Sequence, residues 1–527
     1  MGALTDRRDD KRLWLPLLMA GLLAGLALRL YLASIAQTPG HGDSAFYYTV
    51  AKNIVDGRGP VVDYITYFFE GLLPLPHYAG DFWNPSAAYL VAVPIALFGK
   101  SIGVALLAGV FAGIVPAAAG YLAGLQLSRS ITVGALTGVL TFFSPFEVWW
   151  SVSTEAIIFA GVFGSIALFL MMKAEAAPRF FLFAALFTGL ANLIRQDYVL
   201  VLAALEIWIL VLGRPWRRKL AIGAAALVIH LAVLSPLLIE NHSQLHEVFP
   251  SGPGKTAFMT TYEDFHSYGK QMDWQTLRAT WGIQGILKRR LHTATENLGQ
   301  VEYFVDPVVG GIFVLALADI ALLQRRLAAL RPLLPVLIFA VLEYLFYTFV
   351  ASFSGPGSLI KCLASLMPFV CLVIVEWLAT RLRWTNALVL AVLALAAYGG
   401  YQGFQRNYVS TVYYNSYYKN YATLTSMIRA DAPNRGLDPS GITVMARDTW
   451  DVYEGTGFKT VMIPNNDINT ILFVAQHYNA RYLLLPGNRP QLEKIYTGSA
   501  PDGRFRVVGS VPGTDLRLFY LKFEDPG

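Results

Sequence analysis

Gly42-Asp43-Ser44-Ala45-Phe46-Tyr47-Tyr48-Thr49-Val50-Ala51-Lys52-Asn53-Ile54-Val55-Asp56-Gly57-Arg58-Gly59-Pro60 is the stretch on which the reading of this chain turns. It follows the first long apolar run, residues 13–36, so the lone acid Asp43 falls where a membrane helix should emerge into water. The segment reads as a short amphipathic helix starting at Gly42-Asp43-Ser44 and stopped by Gly57, with Gly59-Pro60 reinforcing the stop. Asp63, Glu70, His77 and Asp81 follow before Asn84-Pro85. On local grounds alone Asp43 is explained as an N-cap that satisfies the amides near Phe46. Its company argues for chemistry instead: Tyr47 lies one helical turn on, and Lys52 and Arg58 come soon after.

Working outward, the 527 residues are 55% apolar and 14% charged, where a soluble domain carries roughly a quarter charged residues. Apolar runs of about 20 residues, enough to cross a bilayer, recur to about residue 402. The expected architecture is therefore an α-helical polytopic membrane protein, residues 1–404, followed by a small α/β soluble domain, residues 405–527. That tail alternates expected helices (near 417–430, 467–478 and 491–496) with short strands (442–446, 460–463, 482–485, 505–511 and 516–523).

The net charge of +6 matters through its placement. Arg7, Arg8, Lys11 and Arg12 precede the first run; Arg129, Lys173, Arg179, Arg214, Arg217, Arg218, Lys219, Arg325, Arg326, Arg331, Arg381 and Arg383 fill short gaps between later ones. The positive-inside rule puts all of them in the cytoplasm and leaves no nucleic-acid footprint. Residues 85–99 are apolar but span only about 22 Å as a helix, too short to cross, so an interfacial helix is expected there. About eleven spans result in a multi-pass protein of the cytoplasmic (inner) membrane, with the N-terminus cytoplasmic and the C-terminal domain extracytoplasmic. The first run is too long for a signal-peptide core and reads as a retained anchor. Cys362 and Cys371 fall on opposite faces of one helix, which excludes a disulfide between them.

This topology sorts Asp43, Glu155, Arg195, Asp197, Glu240, Asn241 and Lys361 to the outer ends of spans. Glu155 follows Ser144-Pro145 and Trp149-Trp150; an acid in a helix's first turn is favoured by the dipole without any function. Arg195 sits outside against the charge rule. It either pairs with Asp197 or presents its guanidinium fork to an anion. Lys361 is a second candidate cation. His242, His246, His266 and His292 share the loop 240–305, in a spacing that matches no standard metal site, and Lys288-Arg289-Arg290 there suits lipid headgroups.

The order of these pieces resembles the GT-C superfamily of polytopic glycosyltransferases, especially its protein O-mannosyltransferase and lipid A aminoarabinose transferase branch. The matching pieces are Asp43 with its Tyr-containing helix, Asn84-Pro85 leading to Leu97-Phe98-Gly99, Ser144-Pro145 to Glu155, Gly189 to Arg195, and Ser235-Pro236 to Asn241. They cover roughly residues 10–245, with looser similarity through Lys361 and Pro368. The resemblance implies sugar transfer on the outer face from a polyprenyl-phosphate-linked donor to the hydroxyl of a glycan, lipid or protein acceptor. It makes Asp43 the catalytic base, gives Glu155 a part in acceptor or site geometry, and makes Arg195 a ligand of the lipid phosphate. Where members often carry a basic residue before the matching Asn, this chain has Glu240; where some carry an acid–lysine pair with a metal nearby, it has Trp83 and Asn84. Phosphate contacts would then shift to Arg58 or Lys361, with Tyr47 and Asn241 as further binding residues. No cofactor is certain, and a divalent cation stays open.

Two other classes fit the composition. A transporter or flippase of lipid-linked sugars also needs charges near the membrane, but its broken mid-membrane helices and inverted repeats are not visible here. A non-catalytic membrane scaffold would keep the shape and lose the transfer.

Overall fold

The computed structural model describes residues 11–323, 331–351, 358–382, 384–500 and 502–523. Arg7, Arg8, Arg325, Arg326 and Arg383, expected on the cytoplasmic side, lie outside the described residues, as do the side chains of Lys11, Arg12 and Cys362; Cys371 is buried and free. The chain is mostly helical and divides into two compact units. One comprises the segments through Ile35, Ser86–Glu240 and Leu287–Val409, and the other Ala36–Pro85, Asn241–Ile286 and Ser410–Gly527.

The first is the membrane unit. Among the described residues, six helices of the chain are long and apolar enough to cross a bilayer, and shorter apolar helices such as Arg179–Ile194 and Ser86–Phe98 accompany them. The expected interfacial run is the 13-residue helix Ser86–Phe98, as short as its sequence requires. Small residues let helices approach backbone to backbone. Between Ile114–Ser128 and Ile131–Phe142, a Cβ added to Gly124 would stand 2.9 Å from the Gly134 Cα, and one added to Gly134 would stand 2.8 Å from the Tyr121 carbonyl. Buried Arg29 is satisfied inside the unit by Ser151 Oγ at 2.7 Å and the Gly25 and Phe142 carbonyls, with its guanidinium 3.9 Å above the Phe142 ring. An apolar groove of about 450 Å³ opens among Leu90, Pro94, Phe98, Phe111, Phe159 and Phe163.

The second is the sheet-bearing unit. Its strands are β1 (Val61–Val62), β2 (Tyr64–Ile65), β3 (His77–Tyr78), β4 (Thr443–Ala446), β5 (Lys459–Met462), β6 (Tyr482–Leu485), β7 (Phe505–Ser510) and β8 (Arg517–Leu521). β1 and β3 form a small antiparallel pair, and the other six form one sheet in the order β2-β5-β4-β6-β8-β7. β2, β5, β4 and β6 run parallel, whereas β8 and β7 are antiparallel additions. Alternation along β4 decides what each face buries. Val444 and Ala446 pack with Tyr421, Leu424 and Ile428 of the helix Lys419–Asp431, and Met445 packs with Ile471, Val474 and Ala475 of the helix Ile468–His477. Both faces are covered, as parallel strands demand. The sheet draws on more of the chain than its C-terminal quarter, because β2 comes from the first loop.

Candidate active site

In the sheet-bearing unit the decisive stretch forms the helix Gly42–Val55, capped at its end by Asp56 with Gly57 at φ +76. His41, not Asp43, is the N-cap: its Nδ1 accepts the Asp43 amide at 3.3 Å. Asp43 therefore stands in the first turn, where the helix dipole favours an anion, and capping does not account for it. The helix is otherwise buried from Ser44 to Ala51, whereas Asp43 stays partly exposed. Tyr47, one turn on, is buried with its ring stacked 6.5 Å from Trp83 and edge-on to Phe46.

Contacts with the helix Thr449–Thr456 fix this element in place. Lys52 Nζ donates to both oxygens of Glu454 at 2.6 and 2.8 Å, and Thr49 Oγ1 donates to the same carboxylate at 2.9 Å. At the other end Gly42 lies directly against the Trp450 indole, and only glycine fits there. Burial pushes the Asp451 carboxyl up to about 7 against the Tyr418 hydroxyl that donates to it at 2.6 Å, with Asp448 and Asp43 adding to the rise. Burial, then Asp43, raises the Tyr67 phenol well above its ordinary value.

Two expected binding residues of this unit also bond to its other residues. Arg58 forms a 2.8 Å ion pair with Asp63 and donates to Asn53 Oδ1 at 3.0 Å. Buried Asn241 accepts the Tyr78 hydroxyl at 2.9 Å and donates to the Val248 carbonyl at 3.3 Å. Of the loop histidines, His266 is stacked flat on Tyr67 and His292 meets Glu296 at 3.2 Å. Among the described residues none of the four joins a group of three converging metal-ligand side chains.

The membrane unit holds the other candidates as carboxylate–cation pairs. Glu155 caps the helix Ala156–Ala174 in position only, with no side-chain capping bond; its carboxylate, 1% exposed as a residue, lies 3.2 Å from Lys361 Nζ. Lys361 also sits 5.8 Å from the Trp150 ring centre. Two residues to which the sequence reading gives separate roles thus form one pair. Arg195 ends the helix Arg179–Ile194 and pairs with Asp197 through two bonds of 3.2 Å, from Nε to Oδ1 and from Nη2 to Oδ2. Tyr347 donates its hydroxyl to Asp197 Oδ2 at 2.9 Å. Beneath this, Asn192 donates to the Arg195 and Gln196 carbonyls, and buried His230 bridges Asn192 and Thr188. Asp197 orients the guanidinium, and the Asn192–His230–Thr188 chain holds the backbone from which it projects.

Sequence reasoning missed Glu343. It is fully buried one turn before Tyr347, within electrostatic reach of Arg195 and Asp197, and neither oxygen has a hydrogen-bond partner among the described residues. The signal was present, since a lone acid in the apolar run 331–350 is a site candidate by default.

No family model matches the chain, and neither does any curated protein. Solved structures do match. ArnT from Cupriavidus metallidurans bound to undecaprenyl phosphate superposes with a TM-score of 0.59 at 16% identity, covering 96% of this chain and 97% of that one. The apo form of an oligosaccharyltransferase from Archaeoglobus fulgidus gives a TM-score of 0.56 at 12% identity, covering 98% of this chain and 75% of that one. A second structure of the archaeal enzyme, in complex with Zn and sulfate, gives 0.54 at 13% identity over 94% of this chain and 72% of that one. Both enzymes are of the GT-C type, so the likeness in fold expected from the sequence is found along the whole chain.

Proposed function

We propose that this protein is a glycosyltransferase that moves a sugar from a polyprenyl-phosphate-linked donor to an acceptor hydroxyl on the outer face of the cytoplasmic membrane, with inversion. The observation that carries this reading is Arg195, a mostly buried guanidinium oriented by Asp197 and Tyr347. Its Nε and Nη2 are held by Asp197, and the positive charge of a guanidinium fixed in this way suits a phosphate. The apolar groove of the same unit suits a hydrocarbon tail in its chemistry, and fold likeness to a protein bound to undecaprenyl phosphate supports the lipid-linked donor.

In this reading the acceptor oxygen attacks the anomeric carbon while its proton passes to the Asp43 carboxylate. The bond from that carbon to the phosphate oxygen breaks with its electron pair, and polyprenyl phosphate leaves as an anion. Such a leaving group needs positive charge beside it, the role of Arg195 and, secondarily, of Lys361. Glu155 orients Lys361. Arg58, Tyr47 and Asn241 serve by holding the Asp43 helix and its loop. About eleven spans, a cytoplasmic N-terminus and an extracytoplasmic α/β domain complete the proposal.

A divalent cation is compatible with His41 and Asp43, which bring together an imidazole and a carboxylate, donor types that such ions accept. Bound there, it would add Lewis acidity; the residues themselves position the acceptor and take its proton.

The test is reconstitution of the full chain in liposomes with undecaprenyl-phosphate-linked sugars and a panel of hydroxyl acceptors. Transfer is expected with the wild type and a loss of 10²-fold or more with Asp43→Asn, while binding of undecaprenyl phosphate persists. A fully active Asn variant removes Asp43 from the mechanism.

A further inference from the structure

The carboxyl ends of β4 and β6 meet at a topological switch point that the donor chemistry does not use. From β4 the chain continues to β5 on one side, and from β6 it continues toward β8 and β7 on the other. In open α/β sheets ligands settle outside the carboxyl ends of strands where connections diverge in this way. Delivered to that point are Arg447 and Asp448 directly after β4 and Arg489 shortly after β6.

Arg489 is only 4% exposed. Its guanidinium reaches the end of β5, with Nη2 3.7 Å from Met462 Sδ and Nη1 3.4 Å from Glu263. Its buried Nε–H has no hydrogen-bond partner among the described residues. Arg447 is half-buried and close enough for the two positive charges to oppose each other. His266 lies within electrostatic reach of both, and its buried Nδ1 also lacks a partner among the described residues. Burial, with the arginines adding to it, lowers the imidazole to about 3, and burial raises the Asp448 carboxyl. Glu263 and Asp515 are exposed at the rim, where solvent screens them. Glu263 and Asp448 already offset part of the charge on Arg489, and an anion here would satisfy the unmet Nε–H, whose desolvation otherwise goes uncompensated.

We propose that this switch point binds an anionic group, carboxylate or phosphate, carried by the acceptor, with Arg447 and Arg489 as its ligands. The acceptor role rests on the transferase reading above; the anion site itself does not.

The test uses the full chain in lipid nanodiscs, titrated with sodium phosphate or sodium acetate at constant ionic strength, chloride being the balancing anion. Thermal unfolding and tryptophan fluorescence are read. A saturable response to one or both anions is expected, phosphate alone indicating a phosphorylated group and acetate alone a carboxylate. Arg447→Gln, at a half-exposed position, should keep the wild-type melting temperature without added anion and weaken binding at least tenfold. A wild type without a saturable response, or an Arg447→Gln protein that binds as the wild type does, overturns the site. Because binding is read without turnover, a protein that transfers sugar and binds no anion loses only the anion site. One that binds the anion and transfers nothing loses only the acceptor role.

Discussion

Gly42 rests on the Trp450 indole so closely that a Cβ on residue 42 would overlap the ring nitrogen. This contact joins the first turn that carries Asp43 to the first turn of the helix Thr449–Thr456. Gly42→Ala is expected to destabilise the protein by about 1–3 kcal/mol through overpacking and to reduce transfer by displacing Asp43. Trp450→Ala opens the space, so the double variant should cost less than the sum of the singles. Thermal unfolding of the four proteins checks this; strict additivity would show that the contact is not tight.

Glu155 and Lys361 should behave as a unit. Lys361→Met leaves a buried carboxylate without its cation and is expected to cost on the order of 3 kcal/mol, with Glu155→Gln alone costing less. Combining the two should recover part of the Lys361→Met loss. Denaturation midpoints of the singles and the double measure the coupling, and equal losses in Lys361→Met and in the double would refute it.

At Arg195 the expectation concerns turnover. Arg195→Gln should lower kcat/KM for the lipid donor about 100-fold, a typical loss for one preorganised donor at a developing charge. Tyr347→Phe, which removes one bond to Asp197, should lower it by about 10-fold. Initial rates over a range of donor concentration decide, and unchanged kinetics in Arg195→Gln would remove it from the phosphate site.

Acid–base behaviour should separate Asp451 from His266. The folded Asp451 carboxyl, at about 7, holds a proton that the unfolded chain has already lost above pH 4. Its contribution is fully present below the unfolded value and is lost as pH rises to about 7. The stability advantage of Asp451→Asn should therefore grow between pH 5 and pH 7, by on the order of 2 kcal/mol, and then level off. His266 has the opposite sign: its folded value of about 3 makes the protein lose stability as pH falls below about 6.5. His266→Asn should soften that acid loss. Melting curves from pH 4 to pH 8 test both, and parallel wild-type and variant curves would contradict the buried environments.

Much of this architecture is legible in the sequence because glycine, proline and alternation are local signals. Gly57 ends the Asp43 helix as its position demands, and β4 and β6 fall within the expected 442–446 and 482–485. What was hidden is long-range or chemically unusual. Histidine is a rare N-cap, so Asp43 could pass for the cap until the His41 ring was seen accepting its amide. The Glu155–Lys361 pair joins distant helices, and no spacing rule reports it. Glu343 was visible as a letter but belonged to a run that reads as a plain span, and only its burial beside Arg195 gives it meaning. Two residues of β2 carry no periodicity at all.

That short strand sets the order in which the molecule can be finished. Tyr64–Ile65 is made early, whereas its partners Thr460 and Val461 leave the ribosome only after nearly all the membrane helices have been synthesised. Contacts of such sequence separation form late and slowly. The first loop, bearing the proposed base, must wait without its neighbour through most of translation, and a chain arrested before the helix Thr449–Thr456 would lack the Glu454 and Trp450 side chains that meet Lys52, Thr49 and Gly42.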